Sequence, residues 1–542
     1  MKAFVLGVAA ALALAACASA DHAAPQSSRE PPPPPQLAAY SFPPLSPQAI
    51  LAHTTELASD AYGGRRPGTR GEDLSVAYIE RAYREAGLEP GVTLADGTRT
   101  YRQDVPLIAA SLRTPPVLTI TGRDGARTYA HGTQFTAWTK RLQENVTVEN
   151  ADLLFVGYGV NAPELGWNDY EGVDARGKIV VILINDPDYD TGDDRGFGGR
   201  AMTYYGRWTY KYEEAARQGA AGAIIVHQTG PAAYPWAVIE TSATGPRFDV
   251  VLPDRGMSRA AFEGWMQESV VIETFRRAGL DFAQLRARAQ TRGFRAVDLG
   301  SLRGSLSLDT EIVEMRSTNV VGVLPGRTHP DEAVIYSSHW DHFGECPPVN
   351  GDAICNGALD NASGTAGLIE LGRRAASDGR AARSMVFLAV TAEEQGLLGS
   401  LYYAQHPTFP ANHMVGVINM DGMNYIGPTR DVEVVGLGKS EMDALVTAAA
   451  EAQGRRIVAD AFPERGSFYR SDQLSFARIG VPVLYARSGI DLVNGGVARG
   501  RALSEDYVAN RYHKPDDEVT PAWDLTGGAQ DLQMLYAVGR NL

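Results

Sequence analysis

Cysteine is scarce in this chain: three in 542 residues, at positions 17, 346 and 355. Thiolate metal ligation is therefore poorly served. Basic charge is in deficit as well. Fifty Lys and Arg stand against 64 Asp and Glu, a net charge of −14, which argues against nucleic-acid partners. Past the first residues no stretch reaches the ~18 apolar residues that a spanning helix needs, so nothing else crosses a membrane. There is no internal repeat, and no low-complexity run after Pro35. What is present is bulk. A chain of 542 residues that is 44% hydrophobic can bury one large core and at least one smaller one.

The N-terminus reads as an export signal. Met1-Lys2 is a short positive region, and Ala3 to Ala16 is an apolar stretch too short to span. It ends Leu14-Ala15-Ala16-Cys17, the form of a bacterial lipobox, with Cys17 as the lipidated first residue of the mature chain. Ordinary cleavage after Ala18-Ser19-Ala20 is the alternative. Residues 1–20 are thus a signal segment and 21–45 a linker, in which Pro31 to Pro35 read as a polyproline spacer of roughly 3 Å per residue. The expected location is the periplasmic face of a bacterial membrane, the outer membrane included, or the secreted space. The only membrane contact is the lipid anchor. With Cys17 lipidated, Cys346 and Cys355 remain as a disulfide pair around the loop between His339 and Asp360.

Chemistry concentrates in the last part of the chain. His339 lies in Ser338-His339-Trp340-Asp341, Asp360 in Leu359-Asp360-Asn361-Ala362-Ser363-Gly364, and Glu393-Glu394 form a pair. Asp421 follows Asn419-Met420, and His513 sits in Tyr512-His513-Lys514-Pro515. Two His and three carboxylates match the N/O ligand set of catalytic zinc. Three apolar runs, Val334 to Tyr336, Val386 to Val390 and Val415 to Ile418, precede ligand candidates, as in open α/β sheets whose sites form beyond the carboxyl ends of the strands. His339 and Asp341 are two apart, so a carboxylate can orient the imidazole. Glu393 and Glu394 cannot share one face, so one can bind metal while the other takes a proton. Read singly, each motif has a blander meaning: a helix start for Glu393-Glu394, a helix cap for Asp360. His342 reads as a structural neighbour.

Six separated motifs in this order resemble the M28 family of zinc peptidases, the co-catalytic aminopeptidases, from about Ser46 to the C-terminus. The resemblance implies a mixed, mostly parallel α/β sheet flanked by helices and two Zn2+ per chain, with Asp360 bridging. Glu394 and His513 would complete one site, and His339 and Asp421 the other. Glu393 would be the general base for a zinc-activated water and Asp341 the partner of His339. Tyr469 is the candidate oxyanion donor. A cis peptide between Asp360 and Asn361 is implied as well. The family's usual Ser-Asp-His is here Ser471-Asp472-Gln473.

Between residues 107 and 299 the texture changes to short strands rich in Gly and aromatics. Gly172-Val173-Asp174-Ala175-Arg176-Gly177-Lys178 and Glu214-Ala215-Ala216-Arg217-Gln218-Gly219-Ala220 resemble a protease-associated (PA) domain; an unrelated β insertion is the alternative. The catalytic domain would then be discontinuous, 46–106 and 300–542, with the insert either a lid over the metal site or a side-mounted binding domain. Peptides are the expected substrates and aminopeptidase the leading activity. A glutamate-type carboxypeptidase, a mono-zinc glutaminyl cyclase and a non-catalytic receptor-like protein stand as alternatives.

Overall fold

The computed structural model describes residues 44–542. The signal segment, Cys17 and the proline spacer lie outside the described residues. Among the described residues no helix is long and apolar enough to cross a membrane.

The larger body is a mixed sheet between two layers of helices. Strands Arg383–Val390, His329–His339, Met414–Asn419 and Val483–Ser488 are mutually parallel neighbours. Antiparallel partners flank them: Val297–Leu324 beside Arg383–Val390, and Asp431–Val434 beside Val483–Ser488. Strand side chains alternate between the two faces. Val334, Tyr336, Met385, Phe387, Ala389 and Ile418 enter one core with helices Pro47–Leu57, Arg70–Ala86, Gly364–Asp378 and Thr526–Asn541. Ile335, Val386, Leu388, Val390 and Val417 enter the other, with Tyr403 and Phe476. Burial on both faces explains the unbroken apolar runs.

The inserted module has its own parallel strands, Asn145–Phe155, Ile179–Leu183, Gly222–His227 and Phe262–Gln267, and its own cores. Helix Trp208–Arg217 covers one face. The module joins the larger body through two long antiparallel strands, Arg102–Leu112 and Val297–Leu324, paired from Leu112 opposite Thr310 to Arg102 opposite Val320. The sequence boundaries at 106/107 and 299/300 fall inside these strands. Their pairing runs without interruption from Leu112/Thr310 to Arg102/Val320, so the ribbon belongs to both bodies.

Candidate metal centre

Three parallel strands end at one level. His339 is opposite Val390, and Ser337 opposite Asn419. The residues just beyond, Asp341, Glu393-Glu394 and Asp421, therefore emerge at one sheet edge. Asp360 comes from the loop entering helix Gly364–Asp378, and its bond to Asn361 is cis. His513 follows helix Gly496–Asn510 with a left-handed φ of 58°.

These side chains converge. His339 Nε2 lies 3.4 Å from Asp360 Oδ1 and 3.3 Å from Asp421 Oδ1. His513 Nε2 lies 3.3 Å from Asp360 Oδ2 and 3.3 Å from Glu394 Oε2. Zinc holds nitrogen and oxygen at about 2.0–2.1 Å, which sets the edge of a tetrahedron near ~3.3 Å. The four separations are ligand edges of that size, and Asp360 supplies one oxygen to each group. His513 Nε2 and Glu394 Oε1 are buried without hydrogen-bond partners. The donor set suits zinc, and the residues that could hold it are His339, Asp360 and Asp421 in one group and Asp360, Glu394 and His513 in another.

His342 belongs to the same cluster. It is buried, forms a ligand-type group with Asp360 and Glu394, and has Nδ1 2.6 Å from Glu394 Oε1. Sequence reasoning set it aside because nothing local separates it from a packing histidine. Its contact is shorter than the tetrahedral edges, so it stands against Glu394 differently from His513.

The role foreseen for Asp341 is modified. Its Oδ1 is 3.8 Å from His339 Nδ1, and that nitrogen is 3.2 Å from the Asp341 backbone oxygen instead. The carboxylate accepts the Glu393 backbone N–H at 3.1 Å. The chain bends after the strand end, so the i, i+2 relation of an extended segment no longer holds there. Tyr469 makes no hydrogen bond to the ligand group; its hydroxyl accepts from Lys439 Nζ at 3.3 Å. The tyrosine beside the ligands is Tyr512, stacked on the His513 ring at 3.6 Å between centroids.

Burial and mutual repulsion shape the electrostatics of the cluster. Burial pushes the Glu393 and Glu394 carboxyls well above the ordinary range, and neighbouring acids add to this. Burial also raises Asp341 to about 6 and Asp472 to about 7. Burial alone would lower His339, but Glu393, Asp360 and Asp421 outweigh it and hold the imidazole well above its usual value. So many carboxylates in one buried crevice stay ionised only beside compensating positive charge.

A frame of hydrogen bonds positions the ligands, and the sequence reading did not single it out. Asn361 Nδ2 donates to Ser338 Oγ and Met420 O, while its Oδ1 accepts from the Gly364 and Gly422 amides. One amide thus ties together the segments bearing His339, Asp360 and Asp421. Asp517 accepts the Leu359 and Asp360 backbone N–H groups at 3.0 and 3.1 Å. Gly357, at φ 53°, has no room for a Cβ, which would run into the Asp360 carbonyl and the His342 ring.

Arg65, fully buried, donates to the carbonyls of Leu57, Trp340, Asn356 and Gly357. Arg65→Met is expected to lower stability by on the order of 3 kcal/mol or more, since it strands several buried acceptors. Thermal unfolding checks this, and zinc content should fall with it because both ligand loops lose their strut. Cys346 and Cys355 are disulfide-bonded within the hairpin Gly344–Val349/Asp352–Cys355. Replacing both with Ser is expected to cost about 2–3 kcal/mol in denaturant unfolding.

Residues 319–537 match Peptidase family M28. A "Probable zinc metalloprotease" of Pyricularia oryzae is 39% identical over 107 residues, 20% of this chain and 21% of that protein. "Aminopeptidase NAALADL1" of Rattus norvegicus is 35% identical over 99 residues, 17% of this chain and 12% of that protein. The chain thus matches about a fifth or less of the length of these curated relatives. The aminopeptidase from Aneurinibacillus sp. strain AM-1 shares the fold, with a TM-score of 0.52 at 18% identity over 91% of this chain and 93% of that one. The fold is a mixed α/β body, and the stretch that resembles Peptidase family M28 carries the candidate ligands. The candidate ligand residues lie inside the matched region.

Proposed function

We propose that this protein is a two-zinc exopeptidase, an aminopeptidase acting on peptides with free N-termini. The observation that carries the reading is the pair of ligand groups sharing Asp360, with Glu393 left over beside them. Zinc at such sites polarises a peptide carbonyl and raises the acidity of a water. The remaining work falls to the chain. Glu393 takes the water's proton and returns it to the leaving amine. Asp341 fixes the aim of Glu393 by holding its backbone N–H. Asn361, Asp517 and Arg65 keep the ligand segments in register, so the site is set before a peptide arrives.

The match to Peptidase family M28, the zinc-metalloprotease and aminopeptidase relatives and the shared fold support this reading. Purified protein should hydrolyse peptides with a free amino terminus, lose that activity to a chelator and regain it with zinc. Preference for amino-blocked peptides cut at their C-terminal residue would point instead to the glutamate-type carboxypeptidase. Cyclisation of N-terminal glutamine by a protein holding one zinc would point to the cyclase. Export with a lipid on Cys17 belongs to the same proposal. It rests on Leu14-Ala15-Ala16-Cys17 and is tested by the mass of the mature N-terminus.

A further inference from the structure

The loop that carries Glu393 and Glu394 is strained. It runs from Thr391, just past strand Arg383–Val390, to Gly399 in the first turn of helix Leu398–Gln405. Ala392 stands at φ 52° and Leu397 at φ 63°, both left-handed without being glycine, and Ala392 is fully buried. Such residues persist only where the surroundings over-determine them. Glu393 is held through its backbone. Its N–H donates to Asp341 Oδ1 at 3.1 Å, and its carbonyl accepts from the Gly396 and Leu397 N–H groups at 2.9 Å each.

One side chain clamps both ends of this loop. Asn319, fully buried in strand Val297–Leu324, accepts the Thr391 N–H at 3.0 Å through Oδ1. Its Nδ2 donates to Gly399 O and to Gln103 Oε1, each at 2.9 Å. Gln103 faces Asn319 across the ribbon that joins the inserted module. Gln103 Nε2 goes on to His406 O at 2.7 Å, at the far end of helix Leu398–Gln405. Beside them the Ser317 and Thr391 hydroxyls lie 2.5 Å apart. The two loop ends can close on Asn319 only because residue 399 is glycine. A Cβ there would come 2.2 Å from Thr391 O and 2.6 Å from Asn319 Oδ1.

Hydrogen bonds fix direction as well as distance, which apolar packing does not. If either end slips, Ala392 can relax toward an ordinary φ, and the residue after it swings. We propose that Asn319 is a positioning residue for Glu393, holding the strained loop shut and so keeping the general base aimed at the ligand cluster. Gln103 and Ser317 extend this support into the ribbon, so the strands leading to the inserted module share in it. This inference rests on the peptidase reading, with Glu393 as general base.

The test uses the zinc-loaded full-length protein and the free-amino peptide that the wild type cleaves fastest. Asn319→Ala is expected to lower kcat ~10-fold or more, because misplacing a reacting group by about 1 Å can cost ~10²-fold. KM and zinc content should be unchanged. On a Glu393→Gln background the same substitution should alter kcat by less than ~2-fold, since residues acting as one unit are not additive. Asn319→Asp keeps the shape and the acceptor for Thr391 but sets an oxygen against Gly399 O. It should lower kcat in the same pattern, and it carries the test if Asn319→Ala is insoluble. Equal losses with and without Glu393, an unchanged kcat, or a loss of zinc in place of kcat would overturn the role. Should the wild-type protein hydrolyse nothing, the peptidase reading fails by itself. The clamp is then judged by amide hydrogen exchange at residues 396–399, which should quicken in Asn319→Ala, and unchanged exchange would reject it.

Discussion

Glu393→Gln is expected to lower turnover by ~10²-fold or more, the scale of general-base loss, and to leave two zinc ions per chain. The substitution keeps shape and removes only the ability to accept a proton. The backbone N–H bond to Asp341 survives it, so the loop holding Glu394 stays in place. Glu393 is buried beside Asp421, Asp472 and Asp360, which press its proton affinity upward. A base needs that affinity, and zinc bound to the neighbouring acids would temper it. Glu394→Gln is the contrasting variant, because Glu394 lies 3.3 Å from His513 Nε2 as a ligand edge. Metal analysis decides between them. Zinc lost from Glu393→Gln but kept by Glu394→Gln would reverse the two roles.

Asp360→Ala is expected to abolish tight binding at both sites and reduce activity to background, the largest effect of any single change. Asp360 gives Oδ1 to the His339 group and Oδ2 to the His513 group. Its removal leaves His339 with Asp421, and Glu394 with His513, two protein ligands each where catalytic zinc takes three. Asp421→Ala should behave differently, emptying one site and sparing the other. Zinc stoichiometry after dialysis separates the outcomes. An Asp360→Ala protein that keeps two tightly bound zinc ions would show that the carboxylate does not bridge.

The fold of the larger body was legible because its physics is local. Apolar runs such as Val386 to Val390 mark strands buried on both faces, and helix Arg70–Ala86 is stopped by Gly87 in a left-handed conformation. The cis bond at Asp360 and the Cys346–Cys355 disulfide, both anticipated, are present. The ends of the inserted module were not legible. Strands Arg102–Leu112 and Val297–Leu324 pair continuously across the ends chosen for the module, so pairing rather than composition joins the two bodies.

At the site, residue type and order along the chain carried the ligand candidates, since histidine and carboxylate at strand ends point to metal whatever their partners. The supports carried no such signal. Arg65, Asn361 and Asp517 act through backbone carbonyls and amides brought together from distant segments, and nothing adjacent to Asp517 sets it apart from Asp516 or Glu518. His342 and Tyr512 became site residues only through a few ångströms of packing. Tyr469, chosen for its place before Arg470-Ser471-Asp472, bonds Lys439 instead. The sequence by itself determined the strands, the ligand types and their order, because these depend on side-chain chemistry and short-range periodicity. Only the tertiary structure decided which oxygens face which nitrogens, because this depends on distances between residues far apart in the chain.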